Sequence, residues 1–594
     1  MPGALRRRGV REMMPSRCEI RHGRAAGDGL ASRGCRLLTL VILAMAGSPA
    51  CGGDVDPVVL EAQAARVAAV RRGMAAAVSI FAGDAGGGSG VLLTRDGYAA
   101  TNFHVVQPAG PAMQCGLSDG RLYDAVLVGL DPTGDLAIVK LLGRDDFPAA
   151  EMADSDLVEV GDFCFAAGNP FLLATDLMPS ISAGIVSGVH RYQFPAGTIL
   201  EYTDCLQVDA AINPGNSGGG LFDAAGRLIG VNGRASFEKR GRVNVGAGYA
   251  ISTNQVRNFL GCLKGGRICD HATLGATVAT SAEGRVVVDD ILESSDAWRR
   301  GLRYDDEIVS LAGRPVRTVN AFKNVLGTLP AGWQVPLVYR RDGRPHEILV
   351  RLAGMHAAAR LAEIVSGGGD GERPQAEAGR PPLSDTVREV YEPRPGFANH
   401  HFNVLERDRV GTALASAAAA RGSWVLAGRL EGGDEYRIEV TDTVASIDLP
   451  TGTSTVNVDD ALDRDPAPAE SGGLLAALVL WRRLVIEGPG GLGGTSYWGT
   501  APRDPAALRD GATSDLVDVL ETSAAGVQAR FFVDAAGRVV AIDLWTSPDT
   551  DPCEVRLVWP RSKPGARWPV RMVVRHGAEP FGTFIIDDTD GGTP

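Results

Sequence analysis

Hydrophobic patterning divides this chain into long β-like regions and a few helical ones. Short runs of alternating apolar and polar residues, the period of a half-buried strand, recur along most of it. Residues 436–440 and 528–533 alternate, and Ala535-Ala536-Gly537-Arg538 reads as a hairpin turn into a strand at 539–545. Further strands are predicted at 553–559, 569–575 and 581–586, giving an antiparallel meander. Residues 221–231 read as strand, turn, strand, with Ala225-Gly226 at the turn. Helical stretches are predicted at 54–75, at 254–260, and at 474–481 with 484–486. The last is strongly apolar but too short to span a bilayer, so it is expected to pack on the sheet. The fold class expected is mainly β.

The chemistry concentrates at Asp209-Ala210-Ala211-Ile212-Asn213-Pro214-Gly215-Asn216-Ser217-Gly218-Gly219-Gly220. A serine hydroxyl is a poor nucleophile without a base in reach and donors for the charge it creates. The flanking glycines let the backbone turn and aim N–H groups at that charge. A base is available in Thr101-Asn102-Phe103-His104-Val105-Val106, and an orienting acid in Asp135-Leu136-Ala137. The order His104, Asp135, Ser217 is that of the chymotrypsin-like fold. Gly215-Asn216-Ser217-Gly218-Gly219 also matches the G-x-S-x-G elbow of α/β-hydrolases. That elbow needs a helix directly after the serine, with an acid and a histidine downstream, whereas residues 221–231 read as strand, turn, strand.

These pieces, with Gly88-Ser89-Gly90-Val91, Gly168-Asn169-Pro170-Phe171 and Ser182-Ala183-Gly184-Ile185-Val186-Ser187, resemble the HtrA/Deg family of trypsin-fold serine proteases. The resemblance implies a chymotrypsin-like double β-barrel over 67–262 with the site between the barrels. It implies His104 as general base and then acid, Asp135 as its orienter and Ser217 as nucleophile. The N–H groups of Gly215 and Ser217, with Asn216 between them, would form the oxyanion hole. Six residues before the nucleophile, at the expected floor of the specificity pocket, stands Ala211. With no carboxylate there, a small aliphatic P1 side chain is expected in place of Lys or Arg.

Residues 272–353 resemble the PDZ domain that follows the protease in this family. Leu274-Gly275-Ala276 is the candidate nest for the carboxylate of a C-terminal peptide. Asp305-Asp306 departs from the usual Gly-Asp, and Arg300 replaces a small residue. A degenerate domain that only packs on the protease is the alternative. Residues 354–396, rich in Gly and Pro, read as a flexible linker. Residues 397–590 form a third region, an α+β domain with an antiparallel sheet. Its layout loosely resembles the curved half-barrels of bacterial lipoprotein carriers, a similarity of architecture that assigns no function.

Composition narrows the partners. The net charge of −12 argues against nucleic acid. Cysteine and histidine fall in no metal-ligand spacing, and His400-His401 is read as a surface or structural pair. No cofactor or metal is expected. Residues 1–50 carry an arginine-rich lead and a short apolar run at 37–46, the pattern of a secretory signal. Ala50-Cys51 resembles a lipoprotein cleavage site, with simple cleavage near Ala50 the alternative; either exports the protein to the periplasm or cell envelope. Cys262 and Cys269 are close enough to bridge, and free buried thiols are the other possibility.

The expected activity is that of an exported, ATP-independent serine endopeptidase acting on unfolded or exposed protein segments, in quality control or regulated proteolysis. Resemblance adds a homotrimer, with the membrane touched only through a lipid on Cys51. The competing expectation is an idle or latent peptide-binding or chaperone protein.

Overall fold

Two closed six-stranded barrels hold the first half of the chain. In the computed structural model the described residues are 55–81, 87–170, 176–195, 199–237, 244–366, 383–417, 422–464, 466–510, 515–548, 550–560 and 566–591. The proposed leader with Cys51, and Phe171, lie outside them. The first barrel runs, in hydrogen-bonded order, Ala77–Phe81, Gly87–Leu92, Tyr98–Thr101, Leu136–Leu141, Leu122–Asp131, Ala112–Leu117. The second runs Gly220–Asp223, Leu228–Phe237, Asn244–Ser252, Tyr202–Val208, Ser180–Gln193, Phe163–Gly168. Closure removes open sheet edges, and the interior is filled by small and branched residues such as Ala100, Val126, Ile138, Leu206 and Ile229.

Helix Thr253–Lys264 follows the second barrel, capped by the Ser252 hydroxyl, which accepts from the Gln255 N–H. Val256, Phe259 and Leu263, at helical spacing, are buried in the core of the first barrel. The Cys262–Cys269 disulfide closes the turn after it, which decides between the two sequence possibilities.

A PDZ-type sheet follows, in the order Ala276–Thr280, Val286–Ile291, Glu307–Leu311, Gln334–Arg341, Arg344–Arg351. Beyond it lies an eleven-stranded antiparallel sheet. Its first strand, Trp424–Leu430, pairs with its last, Glu579–Gly591, in the interior of the sheet. The apolar helix Leu474–Gly491 packs on this sheet; Leu474 to Trp481 are all buried, and Trp481 meets Trp424 edge-on at 5.0 Å. Five of the strands escape the sequence patterning: Trp424–Leu430, Val444–Leu449, Gly452–Asn457, Ser496–Pro502 and Leu516–Ala524.

The chain divides into two units, Met1–Gln63 and Ala64–Pro594. Within the second, the three modules read from sequence are packed on one another. Asn324 of the PDZ-type sheet's helix Val319–Gly327 donates to the His190 carbonyl and accepts from the Asp204 N–H, both on the second barrel. Arg314 clamps the Asp204 carboxylate with both terminal nitrogens, at 2.9 and 2.8 Å. On its other side the PDZ-type sheet meets the carboxy-terminal sheet. Trp333 donates to the Thr500 carbonyl at 2.8 Å, and Arg351 pairs with Asp543 and Glu554.

The flexible-linker reading of 354–396 needs correction at both flanks. Ala358–Val365 and Asp385–Glu389 are helices, and Leu361 and Val387 are buried. Val387, Ile364 and Val390 join the core of the first barrel. These apolar residues gain more from burial than a Gly/Pro-rich composition implies. The Gly/Pro-rich middle, 367–382, lies outside the described residues.

The carboxy-terminal sheet reaches helix Thr253–Lys264 through close backbone approach. A Cβ on Gly261 of helix Thr253–Lys264 would stand 2.6 Å from the Thr500 amide nitrogen. Gly261→Ala gains roughly 1 kcal/mol of helix propensity but drives a methyl into rigid backbone, at a cost of about 1–3 kcal/mol. The expected net result is a lower thermal midpoint for the full chain. Gly432→Ala, where a Cβ meets nothing within 4 Å, is the control and should leave the midpoint unchanged.

Candidate active site

The first barrel places His104 and Asp135 on adjoining turns. Strand Tyr98–Thr101 ends at Asn102, which opens the one-turn helix Phe103–Val106. Phe103, Val105 and Val106 of that turn are buried, while the His104 side chain keeps 40% of its surface exposed. Asp135 sits at φ 58°, in the left-handed region, and is fully buried. The turn before it is held by Asp131, whose carboxylate accepts from the N–H groups of Thr133 at 3.2 Å and Gly134 at 2.8 Å.

The two segments are bonded together at four points. Asp135 accepts from the His104 N–H at 3.0 Å and from its Nδ1 at 2.7 Å. The Asp135 carbonyl accepts from Asn102 Nδ2 at 2.9 Å and from the Phe103 N–H at 3.2 Å. A carboxylate on Nδ1 fixes the proton there and leaves the Nε2 lone pair for other work. Burial opposes charging His104, but the Asp135 charge and hydrogen bond outweigh it and hold the imidazole above its usual value near 6.5.

The second barrel brings Ser217 to the first. The Ser217 carbonyl accepts from the Ser89 N–H at 2.8 Å. The Ser89 hydroxyl donates to the Gly215 carbonyl at 2.6 Å and accepts from the Asn169 N–H at 2.9 Å. The Ser217 hydroxyl itself donates to the Gly233 carbonyl at 3.2 Å, and no hydrogen bond joins it to His104. Asn213 to Asn216 form a turn closed by the Asn216 N–H on the Asn213 carbonyl, with Pro214 second and Gly215 third at φ 99°. That is a type II turn, which requires glycine at its third position. Among the described residues no acceptor engages the N–H of Gly215 or Ser217.

Of the other residues singled out from sequence, Ala211 is tied to the serine turn, its carbonyl accepting from Asn216 Nδ2 at 3.3 Å. Ala211 is exposed, flanked by buried Ala210 and Ile212, and its carbonyl accepts from Ser182 Oγ at 2.8 Å. Leu274, Gly275 and Ala276 open the PDZ-type sheet, where Gly275 is left-handed at φ 71°. Strand Ala276–Thr280 is the sheet's edge, paired on one side with Val286–Ile291. His400 is structural: Nδ1 meets Glu392 and Nε2 meets Arg394. Among the described residues no cluster of three metal-ligating side chains occurs, and no helix is long and apolar enough to cross a membrane.

Several residues around the site carried no sequence signal. The Tyr202 hydroxyl donates to Asp135 Oδ2 from the second barrel. His271 Nε2 meets Asp131 Oδ2 at 2.8 Å, with both side chains fully buried. Desolvation opposes the charge on His271, and the Asp131 carboxylate overrides it, so its pKa is raised. Ser89 stood inside a quoted motif with no role attached.

Comparison with known proteins agrees with this geometry. Residues 88–231 match the trypsin-like peptidase domain family. The periplasmic serine endoprotease DegP of Escherichia coli K12 is 36% identical over 277 residues, 45% of this chain and 56% of that one. A probable DegP-like periplasmic serine endoprotease of Chlamydia trachomatis is 35% identical over 278 residues, 45% of this chain and 54% of that one. The chain thus spans little more than half the length of these curated relatives. Among solved structures, the HtrA-type protease AlgW with a tripeptide aligns at 31% identity and TM-score 0.41, over 49% of this chain and 98% of that one. Two closed barrels, the His104–Asp135 bond and a glycine-flanked serine at their junction fall within the part of the chain that matches the trypsin-like peptidase domain and is similar to the DegP serine endoproteases.

Proposed function

We propose that this chain is an exported, ATP-independent serine endopeptidase that cuts unfolded or exposed protein segments through an acyl-enzyme. The observation that carries the reading is the 2.7 Å bond between His104 Nδ1 and Asp135, which leaves Nε2 as a base on the cleft that receives Ser217. In the reaction Nε2 takes the Ser217 proton as Oγ bonds to the scissile carbonyl carbon. The carbonyl oxygen becomes an oxyanion, received by the N–H groups of Gly215 and Ser217. The imidazolium, stabilised by Asp135, then protonates the leaving amine as the C–N bond breaks. Water repeats the sequence on the acyl-enzyme and frees the acid.

In the same proposal the edge strand Ala276–Thr280 and the left-handed Gly275 take the C-terminal segment of a peptide. The export signal and periplasmic relatives support a periplasmic or envelope site, and family resemblance supports a homotrimer. Lipidation of Cys51 and a role in protein quality control belong to this reading as well. A second reading, a latent peptide-binding protein, is favoured by the Ser217 hydroxyl resting on the Gly233 carbonyl. Hydrogen bonds of a catalytic site are often long or poorly aligned before substrate binds.

Full-length protein should digest casein and take up a fluorophosphonate label. Ser217→Ala should abolish labelling and lower turnover on the order of 10⁶-fold. Wild type that neither labels nor cuts, with or without an added C-terminal peptide, would establish the latent reading. The raised His104 pKa sets the pH dependence. The base must be neutral, so kcat/KM should fall on acidification with a midpoint above about 6.5, measured on a peptide substrate. With Ala211 at the pocket floor, a peptide library should show cleavage after Val, Ala or Leu; dominant cleavage after Arg would refute that assignment.

A further inference from the structure

Asp135 can do its work only if its carboxylate stays aimed at His104. Its partners are the N–H and Nδ1 of His104, and one hydroxyl from the other barrel, that of Tyr202. Tyr202 opens strand Tyr202–Val208 and is buried, with 3% of its surface exposed. Its ring lies against Gly233, the residue whose carbonyl accepts the Ser217 hydroxyl. A Cβ built on Gly233 would stand 2.7 Å from the Tyr202 hydroxyl oxygen and would clash with the ring. A side chain at 233 and the Tyr202 ring therefore exclude each other. They compete for one small volume beside Asp135, and in this chain the phenol holds it.

We propose that Tyr202 is the positioning residue of the candidate triad: its hydroxyl bonds Asp135 Oδ2, the oxygen that His104 Nδ1 also bonds, and holds the carboxylate against the His104 ring. Gly233 is glycine because the phenol needs the space. The inference rests on the function proposed above. It adds that the second barrel, beyond supplying Ser217, completes the acid of the first. A hydroxyl donated to a carboxylate is a charge-assisted bond, stronger than a neutral one. It also disperses the charge that His104 feels. Asp135 is the charged group that raises the His104 pKa, and among the described residues the Tyr202 hydroxyl is the one side-chain donor from the second barrel on that carboxylate.

Tyr202→Phe keeps the ring and removes the bond. With less of its charge dispersed, Asp135 should favour the imidazolium more strongly. The His104 pKa, followed by NMR titration of the ring in full-length protein, should rise by roughly half a unit. On a peptide substrate kcat should fall roughly tenfold with KM unchanged, and the acid limb should move up in step. Rescue separates this role from simple packing. Gly233→Ser alone collides with the phenol and should lose activity. Gly233→Ser combined with Tyr202→Ala opens the space and returns a hydroxyl one bond from where the phenol oxygen stood, so it should recover kcat relative to Tyr202→Ala alone. A His104 pKa and kcat in Tyr202→Phe equal to wild type would overturn the proposal. So would a double variant no better than Tyr202→Ala. The NMR titration needs no turnover, so an inert wild type would refute the protease reading while Tyr202 is still judged by the His104 shift.

Discussion

Two carboxylates four residues apart, Asp131 and Asp135, are both fully buried. Taking a charged carboxylate out of water costs several kcal/mol unless donors surround it. Here the donors come from widely separated parts of the chain. His104 and the backbone of Thr133 and Gly134 belong to the first barrel, Tyr202 to the second, and His271 to the segment leading into the PDZ-type sheet. The barrels and that segment are thereby fixed about one short loop. A shift in any of them would strand a buried charge, a penalty comparable to a large share of a domain's net stability.

The motif residues were legible because each stands in a short run whose chemistry is local. Small residues around Ser217 announce a tight turn, and His104 and Asp135 each stand in a short run of the resembled family. Tyr202 and His271 were not legible, since their partners lie 67 and 140 residues away and nothing local distinguishes them from ordinary core positions. The carboxy-terminal sheet shows the same division. Strands with clear alternation were found. Gly452–Asn457, a mostly polar and exposed strand, was missed. Helix His400–Ala417 was missed as well, because its charged residues obscure the sparse buried positions Phe402, Val410 and Leu414.

The segment from Cys262 to His271 is where the modules meet. Arg267 donates to the Tyr497 carbonyl and to Ser496 Oγ of the carboxy-terminal sheet. Its own carbonyl accepts from the Leu130 N–H, and the Cys269 N–H reaches the Leu130 carbonyl, next to Asp131. The disulfide pins this segment to helix Thr253–Lys264. The PDZ-type sheet is then held from two sides, by Asp204 on the second barrel and by Asp543 and Glu554 on the large sheet. Burial works against ionising Asp543, and Arg556 and Arg351 hold its pKa down. Such paired charges tolerate little relative movement, so this PDZ-type module is built as a fixed wall of the molecule.

The pairing of Trp424–Leu430 with Glu579–Gly591 governs when the large sheet can exist at all. Trp424 sits opposite Gly591, so nearly the whole module must emerge between these partners. A chain made from its amino end would hold both closed barrels while this sheet was still in halves. During that interval the apolar helix Leu474–Gly491 would have the cover of the earlier strands and lack that of the later ones. Joining of the two halves of the sheet thus waits for Glu579–Gly591, the strand that pairs with Trp424–Leu430.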